Sequence, residues 1–295
     1  IRRIMPRMDT LVAATMRPQE LDFAALRASL DSWDFHDATA PGEVAARIAN
    51  ADVVVSNKVV LGAEHLRADA QLRLVCVCAT GTNNIDLAAA QAAGIDVRNV
   101  ANYAGAAVAQ HTLALMLGLA TQWHRYQQDV RDGAWSKSPM FCLMDRPVSE
   151  LAGKTLGIVG AGDLGRQVAR LGEAFGMDVV VAQLPGREAR GQLPWPRLEW
   201  PQFLAACDYL SIHCPLNEET RGLVGARELR AMKRSAFLIN TARGGIVDEQ
   251  ALLAALRDGV IAGAALDVLA QEPPRPDHPL LAARLDNLIV TPHNA

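Results

Sequence analysis

The chain has 295 residues, half of them hydrophobic and 21% charged, with 29 Lys plus Arg against 32 Asp plus Glu for a net charge of −3. That length suits about two domains of ordinary size, and the near-balanced charge gives no electrostatic ground for a nucleic-acid or anionic-membrane partner. No apolar run reaches the roughly 18 residues that span a bilayer and no charged-then-apolar leader is visible, so the cytoplasm is the expected location; Ile1 at the first position leads us to expect a trimmed start.

Short β-branched runs alternate with Ala- and Leu-rich stretches along the whole chain. Strands are predicted at 9–15, 51–57 (ADVVVSN), 72–79 (LRLVCVCA) and 96–100, with helices at 20–30, 42–50, 62–70 and 86–93 between them. From Gly105 to Arg131 the pattern is helical without a strong breaker until Asp132-Gly133, and the irregular segment WSKSPMFCLMDRPVSE (135–150) follows. Loops of that length are usually functional or packed against something. A second alternating block then carries strands at 155–160, 178–183, 209–214, 236–241, 263–268 and 287–291, and helices at 163–175, 201–207, 225–232 and 248–258. Strands separated by helices predict βαβ units, hence an α/β protein of two doubly wound parallel sheets with its site in the crevice between two domains.

Five cysteines (Cys76, Cys78, Cys142, Cys207 and Cys214) contain no C-x-x-C, and most lie in or beside apolar runs, where a free thiol acts as a small core residue. The seven histidines show no metal-ligand spacing. No metal site is expected.

The segment TLGIVGAGDLGRQVARLGEAFGMDVVVAQ (155–183) holds Gly160-x-Gly162-x-x-Gly165 between a hydrophobic run and an amphipathic helix, with a second strand ending at Gln183. This is the context a dinucleotide turn requires. The first glycine makes the tight turn, the second admits the pyrophosphate to the backbone, and the third lets helix pack on strand. The acidic residue that would bond the adenosine ribose is replaced by Gln183, which repels no 2′-phosphate. Arg187 and Arg190 either reach such a phosphate or are solvated loop charges. The cofactor is therefore expected to be NAD(H) or NADP(H), with the preference open.

Arg243, Glu272 and His293 each close a hydrophobic run: AFLINTARGG (236–245), GAALDVLAQEPP (263–274) and NLIVTPH (287–293). If those runs are neighbouring parallel strands, the three side chains share the sheet edge at which such folds bind ligands. A guanidinium can fork onto a carboxylate and a carbonyl oxygen. An imidazolium can protonate the oxygen of a ketone receiving hydride, and a glutamate can orient it and favour its charged form. Asn57 and Lys58, ending a strand of the first block, are candidates for reading a substrate side chain, or are ordinary loop residues in water.

The chain resembles the D-isomer-specific 2-hydroxyacid dehydrogenases, in particular glycerate dehydrogenases and hydroxypyruvate reductases. The motifs are ATGTNNID (79–86), NYAGAAVAQHTLALML (102–117), LAGKTLGIVGAGDLGRQVA (151–169), HCPLNEETRGLV (213–224), MKRSAFLINTARGGIVDEQAL (232–252) and TPH (291–293). The resemblance implies Rossmann-like or flavodoxin-like domains, with a substrate-binding domain of 1–100 plus 289–295 and a dinucleotide-binding domain of 101–288. It implies a small 2-oxo or 2-hydroxy acid as substrate, Arg243 on its carboxylate and C2 oxygen, His293 as acid/base and Glu272 as its partner. Thr80 and Gly81 would meet the substrate carboxylate through their amides. Asp163 and Leu164 fall in the pyrophosphate turn. Cys214, Thr241 and Ala242 would line the nicotinamide side, and Asp267 would fix its carboxamide. Gln110 and His111 would lie close to the cleft, with His111 read as structural. A homodimer is implied through 105–150, with Trp135 and Phe141 reaching the partner subunit, and a further segment beyond Ala295 that returns to the first domain. The rival expectation is a nucleotide-sensing regulator of co-repressor type on the same fold.

Overall fold

The structure, a computed structural model, describes residues 7–11, 24–29, 32–36, 38–68, 71–101, 103–186 and 191–295. The chain forms two compact units, Ile1–Tyr103 and Ala104–Ala295. Strands in the first unit are β1 (Arg7–Leu11), β2 (Ser32–His36), β3 (Val53–Ser56), β4 (Leu74–Val77) and β5 (Asp96–Asn99); its helices are α1 (Ala24–Ser29), α2 (Val44–Ile48), α3 (Ala63–Ala68) and α4 (Leu87–Ala92). All strand pairs are parallel, in the order β2-β1-β3-β4-β5, which is the flavodoxin-like doubly wound arrangement. Val54, Val75 and Val77 bury against Val44, Ile48, Leu66 and Ala89 from the helices.

The second unit opens with α5 (Gly105–Thr121) and α6 (Trp123–Arg131). It continues through β6 (Thr155–Val159), α7 (Asp163–Ala174), β7 (Asp178–Gln183), β8 (Arg197–Glu199), α8 (Trp200–Ala206), β9 (Tyr209–Ile212) and α9 (Ala226–Ala231). The remainder is β10 (Phe237–Asn240), α10 (Glu249–Arg257), β11 (Gly263–Leu266), α11 (Pro279–Ala282) and β12 (Leu288–Val290). Its seven parallel strands run β12-β11-β10-β9-β6-β7-β8. The strand order reverses between β6 and β9, so the crevice beyond their carboxyl ends is the switch point at which such sheets take ligands. Both faces are covered, which is why the strands read as unbroken apolar runs. Leu210, Ile212, Leu238 and Ala264 pack toward Phe203, Leu229 and Leu252. Tyr209, Ile239 and Ala265 belong to the opposite cluster, with Leu115 and Met116 of α5 and Val168 of α7.

Two strands escape the sequence pattern, β2 (SWDFH) and β8 (RLE). Each is the edge of its sheet. An edge strand is half-solvated, so it carries polar residues and lacks the apolar run that reveals a central strand. The helix predicted from 105 to 131 is two helices, broken at Gln122, whose backbone is left-handed (φ 55°) and whose N–H caps Gly118 O. No glycine or proline marks the break. It is set by packing: α5 buries Ala109, Thr112, Leu115 and Met116, while α6 buries nothing. Residues 289–295, expected with the first domain, cluster with the second unit, because β12 pairs with β11. Parts of the predicted strand 9–15 and helix 20–30 lie outside the described residues. Among the described residues, no helix is long and apolar enough to cross a membrane.

Candidate active site

The Gly160 turn sits at the switch point. Gly160 has φ +97°, and a Cβ there would lie 2.7 Å from Cys214 N and 2.9 Å from His213 C, so the turn packs directly on the chain leaving β9. A Cβ on Gly165 would fall 2.1 Å from Gly160 O, so glycine here lets α7 close on the turn. Around Gly162, the N-cap of α7, the space is open, with nothing within 4 Å of a Cβ. Asp163, Leu164 and Gly165 occupy the first turn of α7, whose amides have no partner within the helix and whose dipole favours an anion. This cradle fits a pyrophosphate. Gln183 ends β7, in register with Glu199 of β8; Arg187 and Arg190 lie outside the described residues.

His213 accompanies the turn without charging it. Its Nε2 is 2.8 Å from Ser211 Oγ and its Nδ1 is sealed from solvent without a protein partner. Burial pulls its pKa down to about 3, so at neutral pH the ring places no cation beside the glycines. Cys214, next in the chain, is buried. Burial also pushes the Cys207 thiol up to about 12 while Sγ donates to Phe203 O at 3.0 Å, which makes it a core residue and not a nucleophile.

The three strand-end residues follow β10, β11 and β12, which are adjacent and parallel. His293 Nδ1 lies 2.7 Å from Glu272 Oε2, and Glu272 Oε1 accepts the Leu269 N–H at 2.9 Å. The glutamate thus holds the imidazole with one oxygen and its own turn with the other. Both side chains are about one-third exposed (30% and 34%), so the pair is reachable from solvent. His293 has φ 52°, a left-handed backbone that is uncommon for a non-glycine residue and that concentrates at functional sites. Arg243 leaves β10 through a turn shaped by Asn240, whose Oδ1 accepts Ala242 N–H (3.0 Å) and whose Nδ2 donates to Arg243 O (2.9 Å). Its own Nη1 donates to Ala242 O at 2.6 Å. Gly244 then meets the turn that carries Glu272: a Cβ there would stand 1.9 Å from Leu269 O. The structure therefore brings the Arg243 and Glu272 segments into backbone contact and joins Glu272 to His293 by a hydrogen bond.

The remaining predicted residues are found within their own units. Asp267, 1% exposed, accepts from Thr291 Oγ1 (2.5 Å), Asn294 N (3.2 Å) and Ala295 N (3.1 Å). His111 of α5 reaches Thr291 Oγ1 at 3.0 Å and Asp267 Oδ1 at 3.4 Å. The Thr241 hydroxyl is tied to Thr112 of α5 at 2.9 Å. In the first unit, Thr80 and Gly81 follow β4 and Asn57 and Lys58 follow β3, all at the carboxyl edge of that sheet. Asn84 Nδ2 donates to Asn57 O (3.3 Å) and Val59 O (2.9 Å), and Thr80 Oγ1 donates to Val100 O (3.1 Å), so both loops are anchored within their own unit. Asn240 escaped the sequence reading of the site, as did the contact of His111 with Thr291. A buried Asn at the last position of an apolar strand was the signal available for the first.

An apolar groove of about 420 Å³ lies elsewhere on the second unit, lined by Tyr126, Val130, Trp135, Phe141 and Val148. Phe141 (91%) and Met144 (75%) stand open to solvent beside it. No group of three or more His, Cys, Asp or Glu able to hold a metal occurs among the described residues.

The strand order, the open glycine turn and the capped switch point define a dinucleotide-binding fold of Rossmann type. Residues 113–295 match the family model described as D-isomer specific 2-hydroxyacid dehydrogenase, NAD binding domain. A glycerate dehydrogenase of Methylorubrum extorquens is 44% identical over 262 residues, covering 89% of this chain and 81% of the relative. A hydroxypyruvate reductase of Blautia hydrogenotrophica is 35% identical, covering 94% and 86%. Among solved structures, an NADPH-dependent glyoxylate/hydroxypyruvate reductase of Sinorhizobium meliloti, in complex with NADP and malonate, superposes with a TM-score of 0.84 at 27% identity, covering 98% of this chain and 86% of that one. The chain belongs to the D-isomer specific 2-hydroxyacid dehydrogenase family.

Proposed function

We propose that this protein is an NAD(P)-dependent oxidoreductase that moves hydride between the nicotinamide and C2 of a small 2-oxo or 2-hydroxy acid, with hydroxypyruvate/D-glycerate and glyoxylate/glycolate the favoured pairs. The observation that carries the reading is the 2.7 Å His293–Glu272 pair standing at the same sheet edge as the Gly160 turn. The bound nicotinamide supplies or accepts the hydride. The protein's own work is to bind, orient and move a proton. With Nδ1 engaged by Glu272, the Nε2 of His293 is the nitrogen that hands a proton to the C2 oxygen in reduction and removes it in oxidation. Arg243 forks onto the substrate carboxylate and that same oxygen, stabilising charge as it develops. The glycine turn and the start of α7, Gly160 to Gly165, take the pyrophosphate, and Gln183 bonds the adenosine ribose. Asp267 is assigned to the nicotinamide carboxamide, with Cys214, Thr241 and Ala242 lining that side. Its carboxylate is fixed in place by Thr291 Oγ1, Asn294 N and Ala295 N, with His111 Nε2 3.4 Å away. Thr80, Gly81, Asn57 and Lys58 are proposed substrate contacts, supported by their place at the carboxyl edge of the first sheet.

A cytoplasmic homodimer completes the reading. The support for the dimer is the groove lined by Trp135 and Phe141: a contiguous apolar surface of this kind ordinarily meets a partner. Sedimentation should give twice the chain mass, and Phe141→Asp should shift it to the monomer. The function is tested by steady-state assays with hydroxypyruvate and glyoxylate against NADH and NADPH. Turnover on at least one pair is expected. Tight cofactor binding without turnover on any 2-oxo acid would instead favour the regulator, for which no feature of the fold speaks.

A further inference from the structure

A second histidine–glutamate pair holds the same loop as the first. Glu249 is the opening residue of α10, but it does not serve that helix: the N-cap is Asp248, which accepts from Gln250 N and Ala251 N at 3.0 Å each. The Glu249 side chain turns instead to the loop after β11. Its Oε1 accepts the Ala270 N–H at 2.6 Å and its Oε2 lies 3.2 Å from His278 Nε2. Leu269 and Ala270 thus present consecutive amides to two carboxylates, the first to Glu272 at 2.9 Å and the second to Glu249. The peptide between them is also the one on which Gly244 rests, where a Cβ would lie 1.9 Å from Leu269 O and 2.4 Å from Ala270 N. One peptide group is therefore seated on the residue after Arg243, held by Glu249, and adjoined to the amide that fixes Glu272.

His278 anchors the holder. Its carbonyl accepts Leu281 N–H (3.0 Å) and Ala282 N–H (2.9 Å) at the start of α11. Its Nδ1 is buried without a protein partner. A carboxylate oxygen only accepts, so the hydrogen bond to Glu249 requires the hydrogen on Nε2. The His278 and Glu249 side chains are 11% and 20% exposed, well below the His293–Glu272 pair.

We propose that Glu249 and His278 are positioning residues for the reaction: by clamping the Leu269–Ala270 peptide they set the separation of Arg243 from the Glu272–His293 pair. The role rests on the functions proposed above for those three residues. A misplacement of about 1 Å in such a constellation costs up to 100-fold in rate, whereas the pyrophosphate cradle is built from other segments, Gly160–Gly165 packed on the chain leaving β9.

The test compares Glu249→Ala and Glu249→Gln with the wild-type protein. The readouts are kcat and KM for hydroxypyruvate, NADH affinity by fluorescence, melting temperature, and amide hydrogen exchange across 266–273. In Glu249→Ala, kcat should fall about tenfold or more, exchange at Leu269 and Ala270 should rise, and NADH affinity should stay within about twofold. Glutamine keeps an acceptor for Ala270 N–H, so Glu249→Gln should recover most of kcat. Wild-type kcat in Glu249→Ala overturns the role, as does equal loss in both variants or a loss that only tracks the fraction unfolded. Should the alanine variant fail to fold, failure of the glutamine variant to retain kcat while its exchange pattern stays native overturns it as well. A parallel His293→Gln control separates the two levels. If that control keeps turnover, the proposed site is wrong; if it loses turnover while Glu249→Ala does not, only the positioning role is wrong.

Discussion

The two histidine–glutamate pairs of the second unit use the same hydrogen bond in opposite settings. His293–Glu272 stands at the carboxyl edge of the sheet, close and about one-third exposed. His278–Glu249 is longer at 3.2 Å and mostly covered, with its second ring nitrogen enclosed. An imidazole can pass a proton only if one nitrogen is oriented by the protein and the other faces a reactant. The first pair is open enough for its second nitrogen to be assigned to a reactant, as proposed above, whereas the second pair has that nitrogen enclosed. Chemistry is therefore a property of the setting of the pair, and the covered pair is left with a mechanical task.

Substitutions can break that contrast, beginning with the largest effect. His293→Gln should lower kcat by about 100- to 10,000-fold with cofactor affinity nearly intact, while His278→Gln should cost far less rate and show instead as a lower melting temperature. Comparable rate losses in the two, measured by steady-state kinetics, would erase the distinction. Arg243→Lys should reduce kcat/KM by about 100-fold, because an ammonium cannot reproduce the planar fork; retention of most of kcat/KM would remove Arg243 from the reaction. Glu272→Gln removes a charge-assisted hydrogen bond and should lower kcat/KM by about 10- to 150-fold, a loss larger than that of Glu249→Gln if the exposed pair is the reactive one.

The smallest effect concerns a third histidine. His213 is held neutral by burial, with its pKa lowered to about 3. The unfolded chain therefore binds a proton there that the folded chain refuses, between the ordinary histidine range near 6.5 and about 3. Its contribution to stability is complete above that range and declines as pH falls through it. A His213→Asn variant should show a flatter melting temperature from pH 6.5 to 4 than the wild-type protein, and cofactor affinity that does not follow the titration of an imidazole.

Much of this molecule was legible in order of residues. The central strands announced themselves because a parallel strand buried on both faces must be apolar throughout. The glycine turn was legible because only glycine fits at Gly165, 2.1 Å from a carbonyl oxygen, and suits the positive φ of Gly160. Arg243, Glu272 and His293 were legible as polar residues ending such strands. Edge strands β2 and β8, the left-handed break at Gln122 and the assignment of 289–295 were not, since each is decided by neighbours distant in sequence.

Local order thus determined the periodicity, the backbone freedom and the chemical types available at the strand ends. Only the tertiary structure decided which of those groups meet. The resemblance paired Glu272 with His293, but nothing in the order of residues tells that Glu249 takes His278. The answer depends on β10, β11 and β12 lying side by side, so that one peptide, Leu269–Ala270, rests on Gly244 and passes its N–H to Glu249. Hydrogen bonds act over about 3 Å, and contact at that range between residues far apart in the chain exists only after the sheet has formed.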